Sequence, residues 1–295
     1  MKLHHISGKE LSCWYHQAIQ RAIANNVPPD EVDWLVQTVT SLSSLELRLR
    51  TFANQSQIKS NKSLSELEQL WQQRLQERLP VQYLLETVFW RRFQLKVTPA
   101  VLIPRPETEL MIDLAHEHHR IDQPEANWVD LGTGSGAIAL GLADIFPQAV
   151  IHAVDLSTDA LNIAQANATS YQLQNIRFYQ GSWWSPLGSL KGKVTGMLSN
   201  PPYIPSSQIK ELQPEVANHE PHMALDGGDD GLDYIRYLVE TAPHYLLRDG
   251  IWLIELMLGQ GETVVELLKR QGEYDDVQIF SDLNGIERFV LAYRR

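Results

Sequence analysis

The chain contains the stretch Val129-Asp130-Leu131-Gly132-Thr133-Gly134-Ser135-Gly136, in which a short apolar run leads into a glycine-rich turn. An apolar helical pattern, Ala137–Ile145, follows directly, so the turn joins a predicted strand to a predicted helix. Glycines at such a turn permit positive φ and let a ligand approach the backbone closely. Asp155 ends the next apolar run, where an acid in a doubly wound sheet binds ribose hydroxyls. We therefore predict a nucleoside cofactor site at Gly132–Gly136 and Asp155.

Strand and helix patterns alternate on both sides of this turn. Predicted strands are Asn127–Leu131, Val150–Leu156, Ile176–Gln180, Gly196–Asn200 and Gly250–Leu256, and predicted helices between them are Ala137–Ile145, Thr158–Ser170 and Tyr234–Leu247. This alternation predicts a parallel, doubly wound α/β sheet. At the end of the chain, Val277–Ser281 and Arg288–Tyr293 flank an Asn284-Gly285 turn and predict an antiparallel hairpin. The combination resembles the Rossmann-like fold of class I methyltransferases more than that of a dehydrogenase.

The first 80 residues have the pattern of a small helical bundle. Apolar spacing predicts helices over Leu11–Asn25 and Glu31–Arg50. Ser63 and Glu66 have the spacing of a capping box and predict the start of a third helix. The predicted parts of the chain are a helical domain at 1–80, a β-hairpin linker at 81–103 and an α/β domain at 104–295.

The composition is that of an ordinary globular protein, with 43% hydrophobic and 21% charged residues among 295. No apolar run approaches the roughly 20 residues that span a bilayer, and Met1–Glu10 lacks a signal-peptide pattern. Cys13 is the only cysteine, which excludes an intrachain disulfide and a cysteine-based zinc site. These features predict a cytoplasmic protein without a membrane segment.

The charge of the chain is distributed unevenly. The formal net charge is −11, and residues 1–80 carry 9 basic and 8 acidic residues, whereas residues 81–295 carry 16 and 28. Strong duplex binders need a basic surface that displaces the counterions of phosphates. The acidic balance of the larger part lowers the expectation of a nucleic-acid substrate, but leaves open a local basic stripe.

No metal site is predicted. The histidines at 116, 118 and 119 are explained by a polar helix end. The acidic, glycine-rich stretch Asp226–Gly231 lacks the spaced carboxylates of an EF-hand calcium site and is interpreted as a loop.

Two cofactor classes fit the glycine turn. Gly132-x-Gly134-x-x-Ala137 also satisfies the dinucleotide fingerprint, which keeps a nicotinamide-dependent dehydrogenase as an alternative. Asp130 favours S-adenosylmethionine, because an anion beside the loop repels a pyrophosphate but attracts a cationic sulfonium. We therefore include Asp130 with Gly132–Gly136 among the predicted cofactor residues.

Asn200-Pro201-Pro202-Tyr203 stands at the end of a predicted strand, on the same edge of the sheet as the glycine turn. Two successive prolines cannot continue a central strand, so the chain leaves the sheet there. The Asn200 side-chain oxygen and the Pro201 carbonyl can each accept one N–H of a substrate NH₂ group, which holds a poorly nucleophilic nitrogen beside a methyl donor. The Tyr203 ring can cover a planar substrate group. These residues predict methyl transfer to a planar, amide-like nitrogen.

The tetrapeptide resembles the one shared by methyltransferases that act on adenine-N6, cytosine-N4, guanine-N2 or glutamine-N5, and it does not choose among these substrates. Val101–Glu109 is similar to the signature of the HemK/PrmC family, the release factor glutamine-N5 methyltransferases. The resemblance covers about residues 80–295. Its further segments are Pro80–Leu85, Leu212–Val216, Glu220-Pro221, Ala224–Gly228, Asp230–Leu232 and Asp282–Arg288.

The resemblance implies transfer of a methyl group from S-adenosylmethionine to the glutamine of the Gly-Gly-Gln motif in class I release factors. Residues 104–295 would then form the methyltransferase domain, and residues 1–80 would hold the protein substrate. Trp183 would pack against the adenine, and Asp155 would bind the ribose. Asn200 would lie beside the cofactor and, with Pro201, Pro202 and Tyr203, bind the target glutamine.

The resemblance leaves several points open. Arg105 and Glu107 are expected to shape the pocket or the domain junction. Glu86 and Arg92 stand where the family often has glycines, which puts the geometry of the hairpin turn in doubt. The alternatives are a nucleic-acid adenine-N6 or guanine-N2 methyltransferase and a non-catalytic adaptor on a relic fold. We expect a monomer whose partners are release factors, without direct nucleic-acid or membrane contact.

Overall fold

The computed structural model describes residues 3–121, 123 and 125–295, and the chain forms two compact units that divide between Glu86 and Thr87. The division into parts at 1–80, 81–103 and 104–295 stays a prediction. Within residues 81–103 the structure has a short helix followed by a two-stranded hairpin. Every helix in the described ranges is too short or too polar to span a bilayer.

The first unit is mainly helical, which confirms the predicted helical character of the N-terminal part. Its two short strands pair antiparallel, with His4 opposite Ser60. The elements in chain order are β1 (His4–Ile6), α1 (Gly8–Ala24), α2 (Asp30–Val39), α3 (Ser44–Leu49), β2 (Ile58–Ser60), α4 (Leu64–Gln76) and α5 (Val81–Leu85).

The predicted capping box is present at the start of α4. The Ser63 hydroxyl accepts from the Glu66 backbone N–H at 3.3 Å, and the Glu66 carboxylate accepts from the Ser63 N–H at 2.6 Å. Two donors at the helix start therefore have acceptors, which explains why the helix begins at Leu64.

The prediction of one helix over Glu31–Arg50 is wrong. Helix α2 ends at Val39 because Thr40 is extended and forms a β-bridge with Ser60. Ser43 then caps α3 in a second capping box. Apolar spacing alone continues through this break, whereas the bridge partner comes from a distant part of the sequence.

The second unit is built on a seven-stranded sheet. Its strands and hairpin in chain order are β3 (Thr87–Trp90), β4 (Phe93–Lys96), β5 (Asn127–Leu131), β6 (Val150–Asp155), β7 (Ile176–Gln180), β8 (Val194–Ser199), β9 (Leu246–Glu255), β10 (Tyr274–Ser281) and β11 (Glu287–Arg294). Its α-helices are α6 (Leu110–His118), α7 (Ala137–Ile145), α8 (Thr158–Ser170), α9 (Pro214–His219), α10 (Asp233–Thr241) and α11 (Gly261–Gln271).

The strand order in the sheet is β10-β11-β9-β8-β5-β6-β7. The five strands from β9 to β7 are parallel, and β11 pairs antiparallel with both β9 and β10. This arrangement confirms the predicted parallel sheet with a C-terminal antiparallel hairpin. Because β5, β6 and β8 are neighbours, their carboxyl ends meet at one edge and bring Gly132, Asp155 and Asn200 together.

One helix prediction in this unit needs correction, and one helix of this unit was not predicted. The predicted helix Tyr234–Leu247 ends at Thr241, because Pro243 lies in the short 3₁₀ turn that follows and lacks a backbone N–H. Strand β9 then begins at Leu246, ahead of the predicted start. Helix α11 was not predicted at all, although its Val264, Val265 and Leu268 form a buried stripe.

The edge strand β10 is irregular. Its register against β11 shifts between Asp275 and Gln278, which marks a β-bulge. Asp276 inside the bulge has a positive φ of 45°. Asp275 and Asp276 are both exposed.

Two residues other than glycine, Glu86 and Arg91, have a left-handed backbone conformation in and near the β3–β4 hairpin. Glu86 has a φ of 51°, and in the turn between β3 and β4 the positive φ falls on Arg91, at 49°, and not on Arg92. The Arg92 guanidinium instead donates to both oxygens of Asp144, at 2.6 and 2.8 Å, and lies over the Phe93 ring. Arg92 therefore makes side-chain contacts with Asp144 and Phe93 and does not carry the left-handed backbone of this turn.

Candidate active site

A cavity of about 240 Å³ opens at the carboxyl ends of β5, β6 and β8. The predicted site residues that line it are Gly132, Thr133, Gly134, Ser135, Asp155, Trp183, Asn200 and Pro202. The other predicted residues, Asp130, Gly136, Pro201 and Tyr203, are not part of its lining. The structure therefore brings the glycine turn and the tetrapeptide to one cavity, and places some of their residues behind its wall.

Two glycines of the turn meet different surroundings. Gly134 has a φ of 53°, and a Cβ built there meets no atom within 4 Å, so the backbone faces open space in the cavity. Gly136 has a φ of 85°, and a Cβ there would lie 3.0 Å from both Ala164 Cβ and Leu140 Cδ1. Gly134 thus leaves room for a ligand against the backbone, whereas Gly136 lets α7 pack closely on α8.

Asp130 lies beneath the turn and is fully buried. Its Oδ2 accepts from Thr133 Oγ1 at 2.5 Å and from the Ala139 backbone N–H at 3.0 Å. Burial raises the pKa of Asp130 to about 7. These contacts tie the turn to helix α7; the direct cofactor role of Asp130 stays a prediction.

Asp155 is the one charged residue among those described as lining the cavity. Its Oδ2 accepts from the Gly134 N–H at 2.8 Å and its Oδ1 from the Ser157 N–H at 2.9 Å. Burial raises the pKa of Asp155. The carboxylate is therefore fixed between the ends of β5 and β6, where each oxygen keeps a further lone pair for a sugar hydroxyl.

An aromatic and aliphatic wall stands beside Asp155. Trp183, with a φ of 52°, lies with its ring centroid 5.2 Å from that of Tyr234, and both line the cavity. Leu156 also lines it and is 57% exposed. Flat apolar surfaces of this kind fit a purine ring, whereas the neighbouring Trp184 is 1% exposed and stacks on Tyr245 in the core.

The lining fits an adenosyl sulfonium better than a dinucleotide. No lysine or arginine occurs among the described lining residues, and the only charge is the carboxylate of Asp155. A diphosphate needs compensating positive charge or many backbone donors, whereas a sulfonium is favoured by a nearby anion. The open backbone at Gly134, the Asp155 carboxylate and the Trp183 ring together suit a nucleoside that carries positive charge.

The tetrapeptide begins where β8 ends. Ser199, the last residue of β8, is buried and donates to the Leu131 carbonyl at 2.6 Å, which ties this strand end to the glycine turn. Asn200 lines the cavity. Among the described residues, no donor contacts Asn200 Oδ1 or the Pro201 carbonyl. The Asn200 oxygen is therefore available to a ligand in the cavity, whereas Pro201 is buried outside the lining and the contact of its carbonyl with a ligand stays a prediction.

Tyr203 lies differently from its prediction as a cover for the substrate. Its hydroxyl donates to Glu255 Oε1 at 3.2 Å, and its carbonyl accepts from Gln260 Nε2 at 2.9 Å. Burial, with Glu255 nearby, raises the pKa of Tyr203. Tyr203 therefore anchors the tetrapeptide in this structure; its contact with substrate stays a prediction.

Two glycines that the sequence placed in a loop support the tetrapeptide. A Cβ at Gly227 would lie 2.8 Å from the Pro202 carbonyl oxygen, and one at Gly231 would lie 2.2 Å from the Tyr203 carbonyl oxygen. Gln260, at the start of α11, donates to Tyr203 and contacts Gly231. The glycine spacing was visible in the sequence, but the identity of the backbone packed against it was not.

Arg105 reaches the rim of the cavity. Its Nη2 donates to Glu220 Oε1 at 2.7 Å, and Glu220 is 3% exposed. Pro221 and Met223, which follow Glu220, line the cavity. Arg105 therefore fixes the segment that forms one side of the opening, whereas Glu107 begins a short 3₁₀ turn, Glu107–Glu109.

The three histidines near the end of α6 contact aromatic rings. His116 and His119 lie with ring centroids 5.9 and 5.3 Å from that of Phe146, and His118 lies 5.0 Å from Phe280. In the described part of the chain, no group of three or more histidine, cysteine, aspartate or glutamate side chains is arranged to hold a metal ion.

Comparisons with known proteins agree with this geometry. A family model described as "Methyltransferase small domain" matches residues 108–223. The chain is 52% identical over 291 residues to the release factor glutamine methyltransferase of Synechocystis, with 97% of each chain covered. It is 47% identical to that of Thermosynechococcus vestitus, with 97% and 99% covered, and 37% identical to that of Deinococcus radiodurans, with 94% and 96% covered.

A solved structure supports the fold. The hMettl16 catalytic domain, in complex with the MAT2A 3′UTR hairpin 6, is similar with a TM-score of 0.57 and 14% identity, with 88% of each chain covered. At this identity the likeness concerns the arrangement of strands and helices only.

Proposed function

Since the chain belongs to the release factor glutamine methyltransferase family, we propose that it transfers a methyl group from S-adenosylmethionine to the side-chain nitrogen of the glutamine in the Gly-Gly-Gln motif of class I release factors. One observation carries this proposal for the site: Asn200, whose Oδ1 has no donor among the described residues, lines a cavity in which the one charge of the described lining is the Asp155 carboxylate. The carbonyl of the next residue, Pro201, likewise has no donor among the described residues.

Different residues of the cavity would bind different parts of the cofactor. Asp155 would accept hydrogen bonds from the ribose hydroxyls, Trp183 would pack against the adenine, and the backbone at Gly134 would allow close approach. When bound, S-adenosylmethionine supplies an electrophilic methyl group on a positively charged sulfur. The acidic lining of the cavity supports this choice of cofactor, because it stabilises positive charge.

Asn200 and Pro201 would act on the substrate nitrogen. The lone pair of an amide nitrogen is delocalised into its carbonyl, so the nitrogen is a poor nucleophile. Two oxygen acceptors that each bind one N–H hold the NH₂ group in place and stabilise the positive charge that develops on it. Because these interactions strengthen in the transition state, they raise turnover more than they tighten substrate binding.

The proposal is tested by incubating the protein with S-adenosylmethionine and an unmodified class I release factor, followed by mass spectrometry of the Gly-Gly-Gln peptide. We expect that peptide to gain the mass of one CH₂ group on glutamine. A release factor with asparagine in place of that glutamine is the matched substrate control and should stay unmodified. An unmodified Gly-Gly-Gln peptide would contradict the proposal.

Asn200→Ala provides the matched enzyme control. We expect turnover to fall by about a hundredfold or more, as for the loss of one oxyanion-hole donor. Cofactor affinity, measured by calorimetry, should fall by much less, because Asp155 and Trp183 remain. Comparable losses in turnover and cofactor affinity would show that the role assigned to Asn200 is wrong.

The alternative of a nucleic-acid methyltransferase gains no support from the cavity. A flipped base arrives with its phosphates, which require cationic or donor groups close by. The described lining contains neither lysine nor arginine. Salt-dependent binding of DNA or RNA by the protein would count for this alternative.

A further inference from the structure

Thr108 lies in the cavity wall beside Asn200 and connects it to a buried carboxylate. Thr108 is 4% exposed and Glu255 is 1% exposed. The Thr108 hydroxyl donates to Glu255 Oε2 at 2.6 Å, and Asn200 Nδ2 lies 3.5 Å from the same hydroxyl oxygen. Glu255 ends β9, which pairs with the strand that ends just before Asn200. The three side chains form a row from the sheet interior to the cavity.

The direction of the hydrogen bonds along this row follows from Glu255. Its two oxygens face two donors, the Tyr203 hydroxyl at 3.2 Å and the Thr108 hydroxyl at 2.6 Å. A hydroxyl has a single proton, and Thr108 directs it to Glu255. Toward Asn200, the Thr108 oxygen can therefore only accept, so the group that faces it is the NH₂ of the amide.

The surroundings of Glu255 act on its pKa in both directions. Burial raises the pKa of Glu255, and the hydrogen bonds from Thr108 and Tyr203, together with nearby Arg288, oppose that rise. Arg288 is itself held by Asp282, with its Nε 3.0 Å from Asp282 Oδ2. The direction of the Thr108 hydrogen bond therefore rests on geometry, because each Glu255 oxygen faces one hydroxyl donor, Thr108 or Tyr203.

The orientation of Asn200 matters because the two ends of an amide have nearly the same shape and opposite chemistry. With Oδ1 toward the cavity, Asn200 accepts an N–H of the substrate. With Nδ2 toward the cavity, a donor would face the substrate NH₂, and the hydrogen bond that holds the nitrogen would be lost. A neighbouring group in the protein must therefore stabilise one of the two orientations of the Asn200 amide.

We propose that Thr108 is a positioning residue that fixes the Asn200 amide so that Oδ1, and not Nδ2, meets the substrate NH₂ group. This inference rests on the proposed function and adds to it the group that selects the productive amide orientation. Thr108 acts through its hydroxyl, which Glu255 holds as a donor away from Asn200.

The test compares Thr108→Val, which keeps the shape and removes the hydroxyl, with Thr108→Ser, which keeps the hydroxyl and removes the methyl group. For Thr108→Val, we expect kcat for release factor methylation to fall by about 10- to 100-fold, the effect of one hydrogen bond made in the transition state. KM for the release factor and the Kd for S-adenosylmethionine should change by less than about threefold. Thr108→Ser should keep kcat within about threefold of the wild type.

A second pair keeps the test decisive if the valine variant does not fold. Thr108→Ala and Thr108→Ser differ only in the hydroxyl, so the alanine variant should show the same loss of kcat relative to serine. Thermal unfolding of each variant separates a folding defect from a loss of turnover.

Four results would overturn the inference. With an active wild type, hydroxyl-free variants that keep at least half of its kcat, or a loss shared equally by the serine variant, would show that the hydroxyl does not position Asn200. A loss expressed mainly in the cofactor Kd would assign Thr108 to cofactor binding instead. A wild type that leaves the Gly-Gly-Gln glutamine unmethylated would overturn the proposed function itself, and this inference with it.

Discussion

His152 is a buried histidine inside β6 whose two ring nitrogens have separate contacts. One nitrogen lies 3.1 Å from the Tyr179 hydroxyl and the other 3.0 Å from Asn127 Oδ1. Burial, with a smaller contribution from Arg177, lowers the pKa of His152 from 6.5 to about 4. The unfolded chain therefore binds this proton at a higher pH than the folded chain does.

The shift predicts a loss of stability in acid. Because the folded state holds His152 neutral, its contribution is complete above about pH 6.5 and is lost as the pH falls toward about 4. Between pH 7.5 and pH 5 the loss is on the order of 2 kcal/mol. Asp130 has the opposite effect on stability. Its pKa is raised to about 7 in the folded state, so the free energy of unfolding decreases as the pH rises toward that value.

Urea unfolding at these two pH values, for the wild type and His152→Gln, isolates the histidine. Asp130 contributes equally to both proteins, so the stability difference between them should shift by about 2 kcal/mol between the two pH values. A difference that stays constant with pH would contradict a neutral, buried His152.

Single residues were predictable where their chemistry alone decides their role. Gly132, Gly134, Asp155 and Asn200 were predicted from residue type and position in a strand–turn pattern, and they line one cavity. Asp130 has the same residue type as Asp155 but lies beneath the turn. Whether a residue near the carboxyl end of a strand faces the cavity or the core depends on tertiary packing, which the local sequence does not reveal.

At the scale of elements, the junction of β5, α7 and α8 depends on Gly136. An alanine there would need a left-handed backbone and would bring its Cβ to 3.0 Å from Ala164 and Leu140. Gly134 also has a positive φ, but a Cβ there meets nothing. Alanine would therefore strain the backbone at either position, but only at Gly136 would its Cβ also lie too close to neighbouring side chains.

We expect Gly136→Ala to lower the free energy of unfolding by about 3 kcal/mol and Gly134→Ala by about 1 kcal/mol. Gly134→Ala should instead weaken S-adenosylmethionine binding, because the added methyl group enters the cavity. Urea unfolding and calorimetric titration of both variants measure the two effects. Equal losses of stability would show that α7 and α8 do not pack tightly at Gly136.

Most elements of the sheet could be predicted because each carries a strong local signal. The observed strands Asn127–Leu131 and Ile176–Gln180 have the predicted bounds, and so do helices Ala137–Ile145 and Thr158–Ser170. Helix α11 lies in a mixed polar segment between two strands and was missed. The break after Val39 was missed because its cause is a β-bridge to Ser60, far along the chain.

At the scale of the whole molecule, the described lining of the cavity belongs to one unit. Its residues lie between Ala100 and Tyr234, inside the unit Thr87–Arg295. We expect a fragment of residues 87–295 to bind S-adenosylmethionine within about threefold of the intact protein, a change of less than about 1 kcal/mol. Calorimetric titration measures this, with Asp155→Ala in the fragment as the control. A loss beyond about tenfold would show that the first unit contributes to cofactor binding.

Contacts that join distant parts of the sequence could not be predicted. Thr108 and Glu255, which are 147 positions apart, meet behind Asn200, and Arg105 meets Glu220 at the rim. Each of these residues was visible in the sequence, and Arg105 was expected to shape the pocket or a junction. Their partners became identifiable only in the folded structure, because each pair joins residues more than 100 positions apart.

The bulged edge strand β10 has a consequence for the behaviour of the protein in concentrated solution. An open sheet edge can recruit a strand from another molecule and so begin aggregation. The register shift after Asp275 and the left-handed backbone of Asp276 interrupt the ladder of backbone groups that such a strand would need. The exposed carboxylate of Asp275 adds negative charge there, whereas that of Asp276 pairs with Arg120. This edge is thereby protected from intermolecular strand addition while its inner side remains paired with β11.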